Sequence, residues 1–388
     1  MMSVRDRIER RLRSTAADGL FRDRSALSPL SYEPAVYARG PVIEEVLDAL
    51  EPVFSGSVPP TAYVWGPKGA GKSTVVTEVV GQLRRLGGTG DTLYTTTRAN
   101  QRPVPAVAYV DCRRANTEFA FYQRALAALV GDESVPDHGV STLDLRARLR
   151  KRVRAEPTVV VVDHLGGETC PSGAVVEEWV SATAASLSWV GVGRRRPSNV
   201  DVAFESTVEI PAYEPHALVD VLSTRATAGL ARGAVSHGHL RSLAESAAGD
   251  AHDALAALYA GALAAEADGR TTLTDADVDA GLAAVPEESV SLHRLFALRQ
   301  NRQELLVHVL ETPLEGTETV DDVAESLAAR PGVGLERSTI TRLLYELADS
   351  GIVRRVSCDR PAGSGRPPSR LEPQFPTPVF RELYARNH

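Results

Sequence analysis

Lysine is nearly absent from this chain. Of its 43 basic residues only Lys68, Lys72 and Lys151 are lysines, and arginine supplies the other 40. Cysteine is equally scarce: Cys112, Cys170 and Cys358 are far apart and odd in number, which excludes a disulfide scaffold and a cysteine-based zinc site and fits a reducing interior. The histidines have no metal-ligand spacing, and Trp65, Trp179 and Trp189 form no cofactor pattern, so each tryptophan reads as core packing. No apolar run approaches about 18 uncharged residues, so no membrane span and no membrane partner is expected. The charged start, Arg5 to Arg13, has no apolar stretch behind it and does not read as a secretory signal. A large charge excess is missing too. Fifty acidic residues leave a formal charge of −7, and 43% of residues are hydrophobic, which excludes a disordered acidic chain. At 388 residues the chain has room for two or three domains of roughly 150 residues each.

Periodicity divides what is present into two styles. A helix is expected over Pro41 to Phe54, with Val42, Val46, Leu47 and Leu50 on one face. Strands are expected at Thr61 to Trp65, Ala106 to Val110, Thr158 to Val162 and Leu187 to Val192, alternating with helices at Ser73 to Leu86, Phe119 to Val130 and Ala174 to Ala185. Alternation of this kind implies an α/β core whose parallel sheet is covered on both faces. After Pro215 the pattern becomes helical and rich in Ala and Leu as far as residue 285. Three more helical stretches follow (Leu292 to Leu310, Val320 to Ala329, Ser338 to Ser350), then a short strand, Ile352 to Val356, and a Pro/Gly/Ser/Arg-rich loop at Asp359 to Arg370.

Between the first strand and its helix lies Gly66-Pro67-Lys68-Gly69-Ala70-Gly71-Lys72-Ser73, followed by Thr74. This matches G-x-x-x-x-G-K-[ST] in the strand–loop–helix setting that the motif needs. Glycines let backbone N–H groups turn inward around phosphates, and the helix N-terminus adds partial positive charge. Lys72 would reach the β and γ phosphates of ATP or ADP, and Ser73 would hold Mg²⁺. The plain alternative, a Gly-rich turn, does not require every fixed position of the motif.

The second component of such a site is an apolar strand ending in Asp. Thr158-Val159-Val160-Val161-Val162-Asp163 supplies it, with Asp163 as a second Mg²⁺ residue. A water-activating Glu often comes next, but here the next residue is His164. Imidazole is a poorer base in this geometry. His164 is either a catalytic substitute or a loop residue at a site that has lost hydrolysis, and Glu168 could replace it only through an unusual loop.

The ordered set of motifs resembles the archaeal initiator branch of the AAA+ ATPases, the family of origin recognition complex subunit one and cell division control protein six. Gly19-Leu20-Phe21 followed by Tyr37-Ala38-Arg39 is similar to the family's lead-in, which lines the adenine site. Glu209-Ile210-Pro211-Ala212-Tyr213, followed by Leu218, Val221, Leu222 and Arg225, resembles the segment that leads into the lid. Ala248-Gly249-Asp250-Ala251-His252-Asp253-Ala254-Leu255 resembles the lid motif G-D-A-R-x-A-L, and residues from Ser338 resemble the winged helix. The resemblance implies an AAA+ core over 1–214, a helical lid over 215–288 and a winged-helix DNA-binding domain over 289–388. It also adds Tyr213, Arg225 and His252 to the nucleotide contacts. Three further positions depart from the family: the lid Arg falls on His252, the polar sensor falls on Arg194, and no Arg finger lies within Asn199 to Thr207 unless Arg194 to Arg196 replaces it. The implied protein binds ATP or ADP and hydrolyses it weakly or not at all. It acts at replication origins, inside the cell at the nucleoid, with other initiator or helicase proteins as partners. A diverged DNA-binding regulator and an active ATPase remodeller are the alternatives.

Charge gathers at the C-terminal end. From Arg330 to His388 ten Arg face six Asp or Glu, a local +4 in a chain of −7. In a winged helix the recognition helix enters the major groove and the wing follows the backbone. The double-stranded DNA contacts expected here are Arg337, Ser338, Thr339 and Arg342 on the helix and Arg354, Arg355, Arg366 and Arg370 on the wing. Arg serves both phosphates and guanine edges, so the kind of contact stays open.

Overall fold

The structure, a computed structural model, describes residues 19–31, 39–87, 104–131, 134–136, 138–167, 170–184, 186–312, 319–357 and 369–388. In chain order its elements begin with α1 (Arg24–Leu27), α2 (Gly40–Ala49), α3 (Glu51–Phe54), β1 (Ala62–Trp65), α4 (Lys72–Gly87) and β2 (Ala106–Asp111). Next come α5 (Glu118–Val130), α6 (Thr142–Ala155), β3 (Thr158–Leu165), α7 (Gly173–Ser181), β4 (Leu187–Gly193) and β5 (Ser206–Glu209). The helices α8 (Pro215–Gly229), α9 (His237–Ser246), α10 (Ala251–Ala267) and α11 (Asp275–Ala283) follow. The chain ends with α12 (Leu292–Phe296), α13 (Gln300–Glu311), α14 (Val320–Ala328), α15 (Arg337–Asp349), β6 (Val353–Ser357), β7 (Ser369–Pro373) and α16 (Thr377–Asn387). These elements form two compact units, one of Tyr32–Tyr213 and one combining Met1–Ser31 with Glu214–His388.

The first unit is a five-stranded parallel sheet in the order β2-β3-β4-β1-β5. A strand covered on both faces must be apolar on both, and this is why Val159 to Val162 form an unbroken valine run. Val160 and Val162 pack with Phe121 and Tyr122 of α5, Leu145 and Leu149 of α6 and Val176 of α7. Val159 and Val161 pack on the other face with Val42 and Val46 of α2 and Val75 and Val79 of α4. The crossing places the ends of β1 and β3 at the same edge of the sheet, where parallel α/β folds hold their ligands.

Two elements of this unit escape the sequence pattern. Strand β5 lies at the sheet edge beside β1, and of its four residues only Val208 is buried, so it has no apolar run. Helix α6 buries just Leu145, Leu149 and Val153 in a highly charged segment. Its start is set by a capping box, in which the Ser141 hydroxyl accepts from the Asp144 N–H and the Asp144 carboxylate accepts from the Ser141 N–H.

The second unit is helical and includes the chain's start. The N–H groups of Arg22 and Asp23 donate to the Gly229 carbonyl at 2.8 and 3.1 Å, and Phe21 pairs with Leu230. Residues 19–31 lie against α8, where the Leu27 side chain packs on Gly229 and the Ala231 N–H donates to the Leu20 carbonyl. Helix α10 is buried nearly all round, and α11 crosses it so closely that a Cβ on Gly281 would lie 2.3 Å from the Ala257 carbonyl oxygen.

At the C-terminal end, α13, α14 and α15 precede the antiparallel hairpin β6–β7, an order consistent with a winged helix. The expected continuous helix Leu292 to Leu310 is broken between α12 and α13, and α16 lies beyond the expected elements. No helix among the described residues is long and apolar enough to cross a membrane.

Candidate functional site

The loop between β1 and α4 has the backbone of an anion cradle. Gly66, Gly69 and Gly71 adopt φ values of 154°, 67° and 85°, which L side chains rarely tolerate. Space forbids a side chain as well. A Cβ on Gly66 would lie 2.0 Å from the Ile210 carbonyl oxygen, and one on Gly71 would lie 2.8 Å from the Tyr213 hydroxyl. Lys72, the first residue of α4, is 9% exposed, and its Nζ donates to the carbonyls of Gly66 at 2.8 Å and Pro67 at 2.5 Å. Its ammonium is thus held over the loop by two weak acceptors that a phosphate oxygen can displace. Ser73 and Thr74, half-buried, continue the first turn of the helix.

Arg39 is a component of this site whose role sequence reasoning did not identify. It is 4% exposed, its Nη2 donates to the carbonyls of Ala70 and Pro211, each at 2.8 Å, and its guanidinium lies 3.8 Å over the Tyr213 ring. One side chain therefore ties the phosphate loop to the segment leaving β5. Tyr213, expected to touch nucleotide, is the aromatic floor of this clamp. The Arg39 Nε has no hydrogen-bond partner. Its neighbours Tyr37 and Ala38 lie outside the described residues.

At the end of β3, Asp163 is 1% exposed. Its Oδ2 accepts from the Tyr109 hydroxyl at 2.6 Å and its Oδ1 accepts from the His164 N–H at 2.7 Å. Tyr109 reaches it from β2, whose register pairs Asp111 with Asp163. His164 adopts φ 64°, in the left-handed region, and the pairing of β3 with β4 shifts between Val162 and Leu165. The His164 ring is oriented with Nε2 3.6 Å from Asp163 Oδ2, too long for a hydrogen bond, and this nitrogen has no hydrogen-bond partner. Burial is the strongest influence on its pKa and lowers it, with Arg113 and Arg194 acting in the same direction while Asp163 and Asp111 oppose them. The imidazole is therefore neutral at neutral pH. Burial alone would raise the Asp111 carboxyl, but the Arg113 guanidinium, donating to both its oxygens, holds it below the usual range. Glu168 lies outside the described residues.

The two lid-side residues make hydrogen bonds within the helical unit. The guanidinium of Arg225 donates to the carbonyls of Ser28 and Ser31 and braces the chain's start against α8. His252, in the first turn of α10, accepts the Leu292 N–H at Nε2 over 3.0 Å, and its Nδ1 lies 3.2 Å from Asp253 Oδ1. Both ring nitrogens are thus bonded within the chain. Arg194 to Arg196 are exposed past the end of β4.

The C-terminal candidates divide by exposure. Arg337, Ser338, Arg342 and Arg354 are exposed, and Thr339, Arg355 and Arg370 are half-buried. Arg337 pairs with Glu325, Arg342 with Glu346, and Arg354 and Arg370 share Glu372. Arg355 lies over the Tyr345 ring. Arg366 lies outside the described residues.

Comparison with known proteins places these features. Residues 35–188 match the model of the AAA ATPase domain. The chain is 25% identical over 358 residues to ORC1-type DNA replication protein 1 of Sulfolobus acidocaldarius, covering 86% of this chain and 85% of that one. Its fold is similar to that of the Aeropyrum pernix ORC1 protein, solved in complex with DNA, with a TM-score of 0.62 at 20% identity over 95% of this chain and 97% of that one. The chain is similar in sequence and in fold to ORC1/CDC6-type proteins. A second Aeropyrum pernix protein, ORC2, solved as ADPNP–ADP complexes, is similar in fold with a TM-score of 0.53 at 18% identity over 95% of this chain and 98% of that one. The loop of residues 66–73 lies within the segment that matches the AAA ATPase domain, between β1 and α4. Arg39 carried a sequence signal only as part of the lead-in. Tyr109 carried none, because a tyrosine in a strand reads as core until its hydroxyl is seen on Asp163.

Proposed function

We propose that this protein is an initiator-type, nucleotide-held DNA-binding protein that binds ATP or ADP at Gly66 to Thr74 and hydrolyses it weakly or not at all. The observation that carries the binding half is the loop itself: three positive-φ glycines, two of them without room for a Cβ, lead into a buried Lys72 whose ammonium rests on backbone carbonyls. A phosphate there exchanges those carbonyls for charged acceptors, and the N-terminus of α4 adds its own favourable field. Ser73 and Asp163 fit Mg²⁺. Each Asp163 oxygen has one protein donor and keeps a second lone pair for a metal-bound water. Mg²⁺ bound there would neutralise phosphate charge. Tyr213, Arg225 and His252 remain proposed nucleotide-site residues. Their present bonds support an indirect role, with Tyr213 holding Arg39, and Arg225 and His252 holding the helical unit together.

The weak-hydrolysis half rests on His164. Water activation needs a base that gains a proton readily. Burial disfavours protonation of this ring, its backbone is left-handed, and its Nε2 has no hydrogen-bond partner to orient it. Binding requires only backbone donors and Lys72, whereas hydrolysis also requires positioned water and charge neutralisation in the transition state. Titration calorimetry should give ADP and ATP affinity that Lys72→Ala weakens, with steady-state phosphate release near background. A turnover rate typical of AAA+ enzymes, lost in Lys72→Ala, would falsify the hydrolytic half.

The C-terminal elements fit double-stranded DNA. Exposed ion pairs such as Arg337–Glu325 and Arg342–Glu346 are worth about 0–1 kcal/mol, so a phosphate displaces the carboxylate at little cost. The relatives' printed role in DNA replication makes an origin the natural target, with other initiators or a helicase as partners and the nucleoid as location. The domain limits 1–214, 215–288 and 289–388 serve as the working division, amended by residues 19–31. A gel shift of the full chain on duplex at low salt, weakened by Arg342→Ala with Arg354→Ala, tests the DNA half. No shift at low salt sinks it.

A further inference from the structure

Within the helical unit, residues 19–31 are bonded to helices on both sides of the expected boundary at 288/289. On the lid side they lie along the end of α8. A Cβ on Gly229 would lie 2.6 Å from the Leu27 side chain, Leu20 and Leu27 are buried, and Arg225 donates to the Ser28 and Ser31 carbonyls. On the C-terminal side, the His293 Nε2 of α12 lies 3.2 Å from the Leu30 carbonyl oxygen, and the Arg24 Nη1 donates to Glu382 Oε1 of α16 at 3.1 Å. The Arg24 Nη2 donates to Glu266 in the last turn of α10, and the guanidinium carbon lies 4.0 Å over the Phe21 ring. One guanidinium therefore joins α1, α10 and α16.

The charges explain why a cation sits there. Glu266 occupies the C-terminal end of α10, where the helix dipole disfavours an anion, so a cation beside it is stabilising. Tyr259 on the same helix is buried, and its hydroxyl is pushed up to about 12, first by burial and then by the Glu382 carboxylate, as α16 against α10 requires. Arg386 also approaches Glu382, at 3.8 Å, too far for a hydrogen bond. The two ends of the segment are held by different forces. On α8 the hold is apolar burial and backbone hydrogen bonding. On α16 it is an ion pair between partly exposed side chains, the kind that salt screens.

We infer that residues 19–31 are a strap with a fixed end on α8 and a releasable latch at Arg24 and Glu382. While the latch is closed, the helices of 215–288 and the elements of 289–388 move as one body. The inference requires neither nucleotide nor DNA binding, so it stands or falls apart from the proposed function. Under that function, a movement of α8 to α11 carries the DNA-binding elements with it and does not bend the chain at residue 288.

The test is a spin-label distance measurement on the full-length protein, without nucleotide or DNA. Labels are attached after Glu245→Cys on α9 and Ser326→Cys on α14, both exposed positions, in a background of Cys170→Ala and Cys358→Ala. Cys112 is fully buried and stays. The parent at low salt should give a single narrow distance peak. Arg24→Ala and Glu382→Gln should each raise the population outside that peak by roughly 2- to 5-fold, the equivalent of one partly exposed ion pair. Together they should add nothing beyond the larger single effect, and Glu266→Gln, on the lid side, should release less. Raising salt should move the parent toward Arg24→Ala and leave that variant where it is. A parent distribution that is broad at low salt overturns the single body. A peak unchanged by Arg24→Ala, or a parent indifferent to salt, overturns the latch. Effects that add in the double variant overturn the pairing of Arg24 with Glu382, and Glu266→Gln releasing as much as Glu382→Gln overturns the placing of the latch on α16.

Discussion

The two halves of the nucleotide site lie at one edge of one sheet and are built on opposite principles. Between β1 and α4 the chain holds backbone donors open: glycines occupy conformations closed to other residues, and Lys72 donates to the Gly66 and Pro67 carbonyls. At the end of β3 each Asp163 oxygen already has a protein donor, the Tyr109 hydroxyl or the His164 N–H, and a non-glycine residue takes the left-handed turn. The first arrangement waits for an anion. The second holds its carboxylate with donors from the protein, and the proposed pairing of nucleotide affinity with weak hydrolysis rests on this contrast.

The contrast can be broken most severely at Gly66. Gly66→Ala forces a Cβ against the Ile210 carbonyl and should cost about 4 kcal/mol, read by urea unfolding; a loss below about 1 kcal/mol would show the loop to be pliable. Next in size is Arg39→Ala. It strips donors from the Ala70 and Pro211 carbonyls and packing from Tyr213, for about 3 kcal/mol in the same assay and a loss of ADP affinity. Lys72→Ala should leave folding nearly unchanged while weakening ADP by roughly 10- to 100-fold in calorimetry, the cost of about 1.5–3 kcal/mol for a charge-assisted contact. On the closed side, Tyr109→Phe leaves one oxygen of buried Asp163 without its donor and should lower stability by about 1–2 kcal/mol. A loss equal to that of an exposed tyrosine would mean that Asp163 is not held. Smallest is His164→Gly, which relieves the left-handed strain and should stabilise by about 1 kcal/mol or less. Its sign is opposite to that of Gly66→Ala, and a large destabilisation would assign His164 a role beyond closing the strand.

Legibility followed the length scale of each signal. The loop, the valine strand and Asp163 were readable because each is a short contiguous pattern with its own chemistry. Helix α6 was missed because three buried residues among six basic ones give a weak period, and β5 because an edge strand with one buried side chain has no pattern. The single helix expected over Leu292 to Leu310 is two helices. Its apolar period ran on through a break at Ala297 to Arg299 that neither glycine nor proline marks.

By itself the sequence determined that a nucleotide loop sits between a strand and a helix, and that the residue after Asp163 is not a carboxylate. Both are local facts of residue type, carried by backbone conformation and side-chain chemistry within a few residues. Tertiary structure alone decided that Tyr109 comes from another strand to hold Asp163, that Arg39 clamps the loop across the sheet edge, and that His252 is turned to the Leu292 N–H. Each of these joins residues from 40 to more than 170 positions apart. A hydrogen bond depends on where the fold brings its two ends, and no spacing along the chain encodes that.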